Sequence, residues 1–99
     1  MLEIIKVTGE SLSPFFLSGD YVLIHKSPRA YQRLEPGDIV VADHPVLGTL
    51  IKKVRGNLPD QGRVILEGTH PGSISSQKIG EIPYQVLRGK VIFHFKRPR

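Results

Sequence analysis

Apolar residues occur along this chain in short runs separated by turn formers. The runs are Ile4-Ile5 with Val7, Tyr21-Val22-Leu23-Ile24, Ile39-Val40-Val41, Leu50-Ile51 with Val54, Val64-Ile65-Leu66 and Val91-Ile92-Phe93. They are rich in β-branched and aromatic residues, and Gly, Pro, Asp, Asn or Ser bounds each one, as expected for strands. The pattern predicts six strands, at about residues 3–8, 21–26, 38–44, 49–56, 63–68 and 89–95. No window sustains a helical period. Segment 27–35 is polar and reads as a loop or one helical turn. Pro45-Val46-Leu47-Gly48 reads as a hairpin, and Leu58-Pro59-Asp60-Gln61-Gly62 as a turn. Gly19-Asp20 and Gly37-Asp38 open the second and third strands and read as matching turns. A long Pro71–Pro83 stretch comes after the fifth strand, and Gly80-Glu81-Ile82-Pro83 turns the chain into the last one. The expectation is an all-β, coiled, barrel-like fold in a single domain, residues 1–99.

One interval breaks the pattern. Between the first two strands lies Gly9-Glu10-Ser11-Leu12-Ser13-Pro14-Phe15-Phe16-Leu17-Ser18. It is longer and more apolar than a surface turn. Gly9 permits close approach of the backbone to a ligand. Pro14 fixes the backbone just after Ser11. Phe15, Phe16 and Leu17 supply an apolar anchor on the C-terminal side. The stretch reads either as a serine-rich loop with an apolar anchor or as a rigid corner presenting the Ser11 hydroxyl. A serine is a weak nucleophile without an adjacent base, so the second reading needs a partner.

Strand four offers one. In Leu50-Ile51-Lys52-Lys53-Val54, alternation puts Lys52 on the face of Leu50 and Val54, the face expected to be buried, and Lys53 on the other. Burial disfavours an ammonium and lowers its pKa. A neutral Lys52 amine would then be able to take the Ser11 proton, as in serine–lysine dyads. In the plainer alternative the lysine stem packs on the sheet and its head reaches water.

Composition narrows the options. Ninety-nine residues supply one small core. The absence of cysteine excludes a disulfide framework, a thiol nucleophile and a Cys-ligated metal. His25, His44, His70 and His94 show no familiar ligand spacing, so neither a metal nor another cofactor is expected. No apolar run is long enough to span a bilayer, and Met1-Leu2-Glu3-Ile4-Ile5-Lys6 lacks the pattern of a secretory signal. A cytoplasmic protein without a membrane segment is the expectation. The net charge of +5 gathers in Lys52-Lys53-Val54-Arg55 and near Lys90, Lys96, Arg97 and Arg99. The aromatics are not interleaved with these clusters along the chain, so a nucleic-acid partner is not expected. An acidic peptide partner, or solubility alone, accounts for the charge equally well.

Taken in order, these blocks resemble the signal peptidase I / LexA superfamily of Ser–Lys peptidases. The resemblance is carried by Gly9-Glu10-Ser11-Leu12-Ser13-Pro14, Gly19-Asp20, Gly37-Asp38-Ile39-Val40 and Ile51-Lys52-Lys53-Val54. It continues through Gly68-Thr69-His70, Ser73-Ile74-Ser75-Ser76-Gln77, Gly80-Glu81-Ile82-Pro83 and Gly89-Lys90-Val91. It implies the catalytic β fold of that superfamily, with Ser11 as nucleophile and Lys52 as general base. Ser73 would orient the lysine, and the Ser11 backbone N–H would serve the oxyanion. Gly9, Leu12 and Phe15 would meet a peptide or protein-precursor substrate. The chain is similar in size to a short branch without a membrane anchor, which includes maturation peptidases of nickel-containing superoxide dismutase. Rival readings are a non-catalytic peptide-binding module of the same fold and a basic β-barrel that binds nucleic acid. The chain departs from the family pattern in places. Leu12 stands for the usual Met, Thr69-His70 for Asp-Asn, and Ser75 and Gln77 for a charged Asp and Arg. With Gly at position 9, no side-chain hydroxyl two residues before the serine assists the oxyanion.

Overall fold

A computed structural model describes residues 1–8, 16–46, 48–67 and 81–96. Among the described residues there are seven strands: β1 (Leu2–Lys6), β2 (Tyr21–His25), β3 (Ile39–His44), β4 (Gly48–Leu58), β5 (Arg63–Glu67), β6 (Glu81–Pro83) and β7 (Leu87–Phe95). They form one sheet in the order β1-β2-β7-β3-β4-β5-β6, antiparallel throughout. The all-β expectation holds. The sheet curls without closing into a barrel, and β1 and β6 are its edges. Six of the strands lie where the apolar runs placed them, within a few residues. The seventh, β6, lies in what read as a turn. It has three residues, one of them proline, and a proline is tolerated on an edge where its missing N–H breaks no ladder. Segment 27–35 contains a single helical turn, α1 (Pro28–Tyr31), whose Ser27 hydroxyl accepts from the Ala30 N–H at 3.3 Å.

Each face of the sheet builds its own core. On one, Val40 and Ala42 of β3 pack with Val54, Val64, Leu66 and Leu87 beneath Tyr31 and Leu34. On the other, Val41 of β3 packs with Val7, Val22 and Ile24, flanked by Ile5, Phe16, Ile51 and Val91. Adjacent residues of β3 and β4 therefore serve opposite cores, as a two-residue period requires.

Asn57 ties α1 to the sheet. Its side-chain amide donates to the carbonyls of Tyr31 and Leu34, each at 3.0 Å, and its oxygen accepts from the Tyr84 hydroxyl at 2.5 Å. Asn57→Ala orphans three partly buried groups. It is expected to lower unfolding stability by about 3 kcal/mol, read as a fall in the urea midpoint at unchanged slope.

The two Gly-Asp steps are the same turn used twice. Leu17–Asp20 and Glu35–Asp38 each carry Gly third, with φ of 95° at Gly19 and 100° at Gly37, a region that favours glycine. In each, the Asp N–H donates at 3.0 Å to the carbonyl of the turn's first residue. The Asp carboxylate accepts that residue's N–H, at 3.1 Å from Leu17 and 2.9 Å from Glu35. Each turn also clasps one residue of another segment through two backbone bonds. Val7 donates to Asp20 and accepts from Gly19, while Val54 donates to Asp38 and accepts from Gly37. Val7 comes directly after β1 on the way to Ser11, and Val54 lies two residues past Lys52. The same clasp thus holds both segments on which the expected chemistry depends.

Candidate functional site

Lys52 is the buried lysine that alternation selects. It lies opposite Val40 and two residues before Val54, on the first core's face, and is 2% exposed. That exposure leaves no room for the alternative in which its head lies in water. Lys53, on the other face, is half-buried and pairs with Glu67 at 3.6 Å. Among the described residues no ion pair reaches the Lys52 amine. Burial alone pushes its pKa below the ordinary lysine value. An amine in this state gives up its proton more readily and, once neutral, is available to accept one from a neighbouring hydroxyl.

The other expected participants, Gly9, Ser11, Leu12, Phe15 and Ser73, lie outside the described residues. So do Thr69-His70 and Ser75-Gln77. The flanks of the Ser11 segment are described. Val7 is fixed by the Gly19-Asp20 clasp. Phe16 stacks on the His94 ring, with centroids 4.2 Å apart and planes 23° apart. His94 Nε2 lies 2.7 Å from Asp20 Oδ2, and Asp20 is fully buried. Asp20 therefore ties together the turn after the segment and, through His94, the ring of Phe16. The sequence accounts for Asp20 as a turn residue, and that role holds. Its link to His94 was not legible, because the two are 74 positions apart.

A second feature joins distant parts of the chain. The end of β1 and the start of β4 face each other across a small crevice lined by Ile5, Val7, Thr8, Val41, Thr49 and Ile51, among others. Its space, about 30 Å³, suits one or two waters or a small apolar side chain. In sheet order three strands separate β1 from β4, and the curl of the sheet brings them together. Thr8, the last described residue before the Ser11 segment, thus shares a crevice with Ile51, the residue before Lys52. The sequence pattern places the apolar lining in Leu12 and Phe15. Those two residues lie outside the described residues; the described lining comes from the strands, where alternation puts Val41 and Ile51 on the crevice side. Ile51 faces the crevice and Lys52 the opposite side of β4.

Comparison with known proteins bears on the family. The Peptidase S24-like family model matches residues 2–82. The chain is also similar to the mitochondrial inner membrane protease subunit 1 of Mus musculus and to that of Homo sapiens. Each is 27% identical over 111 aligned residues, covering 91% of this chain and 67% of the relative. No solved structure matches.

Proposed function

We propose that this chain, which belongs to the Peptidase S24-like family, is a serine peptidase working through Ser11 and Lys52. A protease-like function follows from the family and from the protease subunits it resembles. The finer reading is carried by one observation. A lysine 2% exposed, with no ion-pair partner among the described residues, sits next in sequence to a crevice that the strand leading to Ser11 also lines.

A peptide would enter extended along this crevice, adding main-chain hydrogen bonds as a strand and placing a small apolar side chain against Ile5, Val7, Val41 and Ile51. The Lys52 amine takes the Ser11 proton, and Ser11 Oγ attacks the scissile carbonyl. The Ser11 backbone N–H steadies the oxyanion. The resulting ammonium returns the proton to the departing amine, which leaves an ester on Ser11. Lys52 next deprotonates a water that attacks the ester, releasing the acid and restoring the hydroxyl. Ser73 would hold the lysine in position.

The substrate class is a protein precursor with a removable leader. The resemblance to the short branch makes a nickel superoxide dismutase precursor the first candidate. The test is incubation with that precursor and mass analysis of the products. Cleavage by the wild type, lost in both Ser11→Ala and Lys52→Ala, is the expected result. Cleavage at the wild-type rate by the Lys52 variant would sink the dyad. Binding without cleavage by the wild type would favour a non-catalytic peptide-binding module.

A further inference from the structure

The crevice is one end of a longer trough. Glu3 lies two residues before Ile5, and alternation sets both on the half-buried face of β1. Thr49, which lines the crevice, donates its hydroxyl to Asp43 Oδ1 at 3.0 Å. Glu3 and Asp43 both line a second, larger pocket of about 410 Å³, together with Lys26 and Arg88. The two pockets are thus joined twice, along β1 and through the Asp43–Thr49 bond. Backbone is open beside the trough as well. β1 is an edge of the sheet, and β4 pairs with β5 only from Lys53 onward, so residues 48–52 are paired to β3 alone among the described residues. In the second pocket Arg88 donates to Glu3 through Nε and Nη2, and this pairing, with Lys26 adding to it, holds the Glu3 carboxyl below its ordinary value. Arg88 Nη1 stops 3.8 Å from Asp43 Oδ1, too far for a hydrogen bond. Nη1 and Asp43 Oδ2 therefore keep hydrogen-bonding capacity that no described residue takes up.

We propose that the pocket of Glu3, Lys26, Asp43 and Arg88 is a second specificity subsite, which takes a carboxamide side chain, Gln or Asn, of the peptide lying in the crevice. The proposal rests on the peptidase reading for that peptide. Spacing makes the pocket reachable. An extended peptide turns alternate side chains to one face, so the residue two or four positions from the one in the crevice, about 7–13 Å along, meets Glu3 and its neighbours. Charge selects the occupant. Glu3 and Asp43 balance Lys26 and Arg88. A substrate carboxylate would meet Arg88 and Lys26 but also Asp43, and an ammonium would meet Asp43 but also Arg88 and Lys26. A carboxamide carries an acceptor and two donors without net charge. Its oxygen can take Arg88 Nη1 while its N–H reaches Asp43. An apolar side chain would remove water from these groups and return no bond. The side chains of Arg88 and Asp43 are 35% and 55% exposed, so the subsite is open to a peptide as it stands.

The test reads binding and cleavage separately. Labelled peptides carry one alanine for the crevice and Gln, Glu, Lys or Leu two or four positions away, on either side of it. Affinities are measured by fluorescence anisotropy on the full chain with Ser11→Ala, so that binding is read without turnover, and cleavage by mass analysis with the wild type. At one of these positions Gln is expected to bind about tenfold more tightly than Glu, Lys or Leu. Adding Asp43→Asn keeps an acceptor for Thr49 and removes one negative charge. Glu is then expected to bind more tightly than Gln, a reversal that a merely structural role for Asp43 would not produce. Equal affinities at every position, a preference for Leu, or no binding by any peptide overturns the proposal. So does an Asp43→Asn variant that weakens all four side chains alike. Graded affinity with no cleavage by the wild type would support the subsite and remove the peptidase reading, whereas cleavage with equal affinities would do the reverse.

Discussion

Lys52→Met is expected to abolish peptide cleavage and, at neutral pH, to make the protein more stable. Both effects come from one buried amine. Loss of the general base should reduce cleavage by about a thousandfold or more, as removing one member of a serine-based catalytic unit does. The gain in stability reflects what the site now demands. An ammonium in this pocket has lost its water, and no carboxylate among the described residues compensates it. The methionine side chain is of similar length and needs no solvation, so it is expected to add about 1–3 kcal/mol at neutral pH. The sign with pH comes from the lowered pKa. Between that value and the ordinary 10.5, the unfolded chain holds a proton that the folded chain has released, so wild-type stability rises with pH across the interval. Below the lowered value both states are protonated and the full penalty is present. The Met variant lacks this rise, so its advantage should be greatest at the lower pH values and vanish toward 10.5. Urea titrations of both proteins across neutral to alkaline pH read this directly. A Met variant less stable than wild type at neutral pH would mean that the amine is held by groups beyond the described residues.

What the sequence revealed and what it hid divide along one physical line. Whatever depends on neighbours two to four positions apart was legible. The β-branched runs located six strands, alternation separated Lys52 from Lys53, and Gly before Asp marked the two turns. Whatever depends on the curl of the sheet was not. The crevice takes residues from β1, β3 and β4, and no local pattern states that β1 will face β4 across three intervening strands. The same holds for the face formed by Ile4, Leu23, Phe93 and Phe95. Each residue reads as ordinary strand filling until the register sets them side by side on a surface with nothing packed over it among the described residues. Aromatic and basic residues far apart along the chain become neighbours in space, which their order along the chain does not bring out. β6 escaped for a simpler reason. Glu81-Ile82-Pro83 is too short for a period and contains a proline, and only its ladder with β5 defines it as a strand.

Asp20→Ala is expected to cost far more than Asp38→Ala, although the two residues occupy equivalent turns. The repeat supplies an internal control, since backbone path, glycine and side-chain acceptor are alike in both. The surroundings differ. Asp38 is partly exposed, and its carboxylate meets Lys90 only at 3.7 Å, so water replaces most of what the substitution removes. A loss of about 1 kcal/mol or less is expected. Asp20 is fully buried, accepts from the Leu17 N–H and lies 2.7 Å from His94 Nε2. Removing it leaves a backbone donor and a ring nitrogen facing a void, and a loss of about 3 kcal/mol is expected. The consequence should also extend beyond stability. His94 carries the stacked ring of Phe16, which comes directly after the Ser11 segment, so releasing His94 loosens one end of that segment. Folded Asp20→Ala protein should therefore cleave more slowly than folded Asp38→Ala protein, mainly through kcat. Urea midpoints and cleavage rates measured on the same four proteins, the two single variants, the double variant and the wild type, separate the contributions. Equal stability losses in the two singles would show that the shared turn bond, and not burial against His94, sets the cost. Equal rates would remove the Asp20–His94–Phe16 chain from any part in holding the nucleophile.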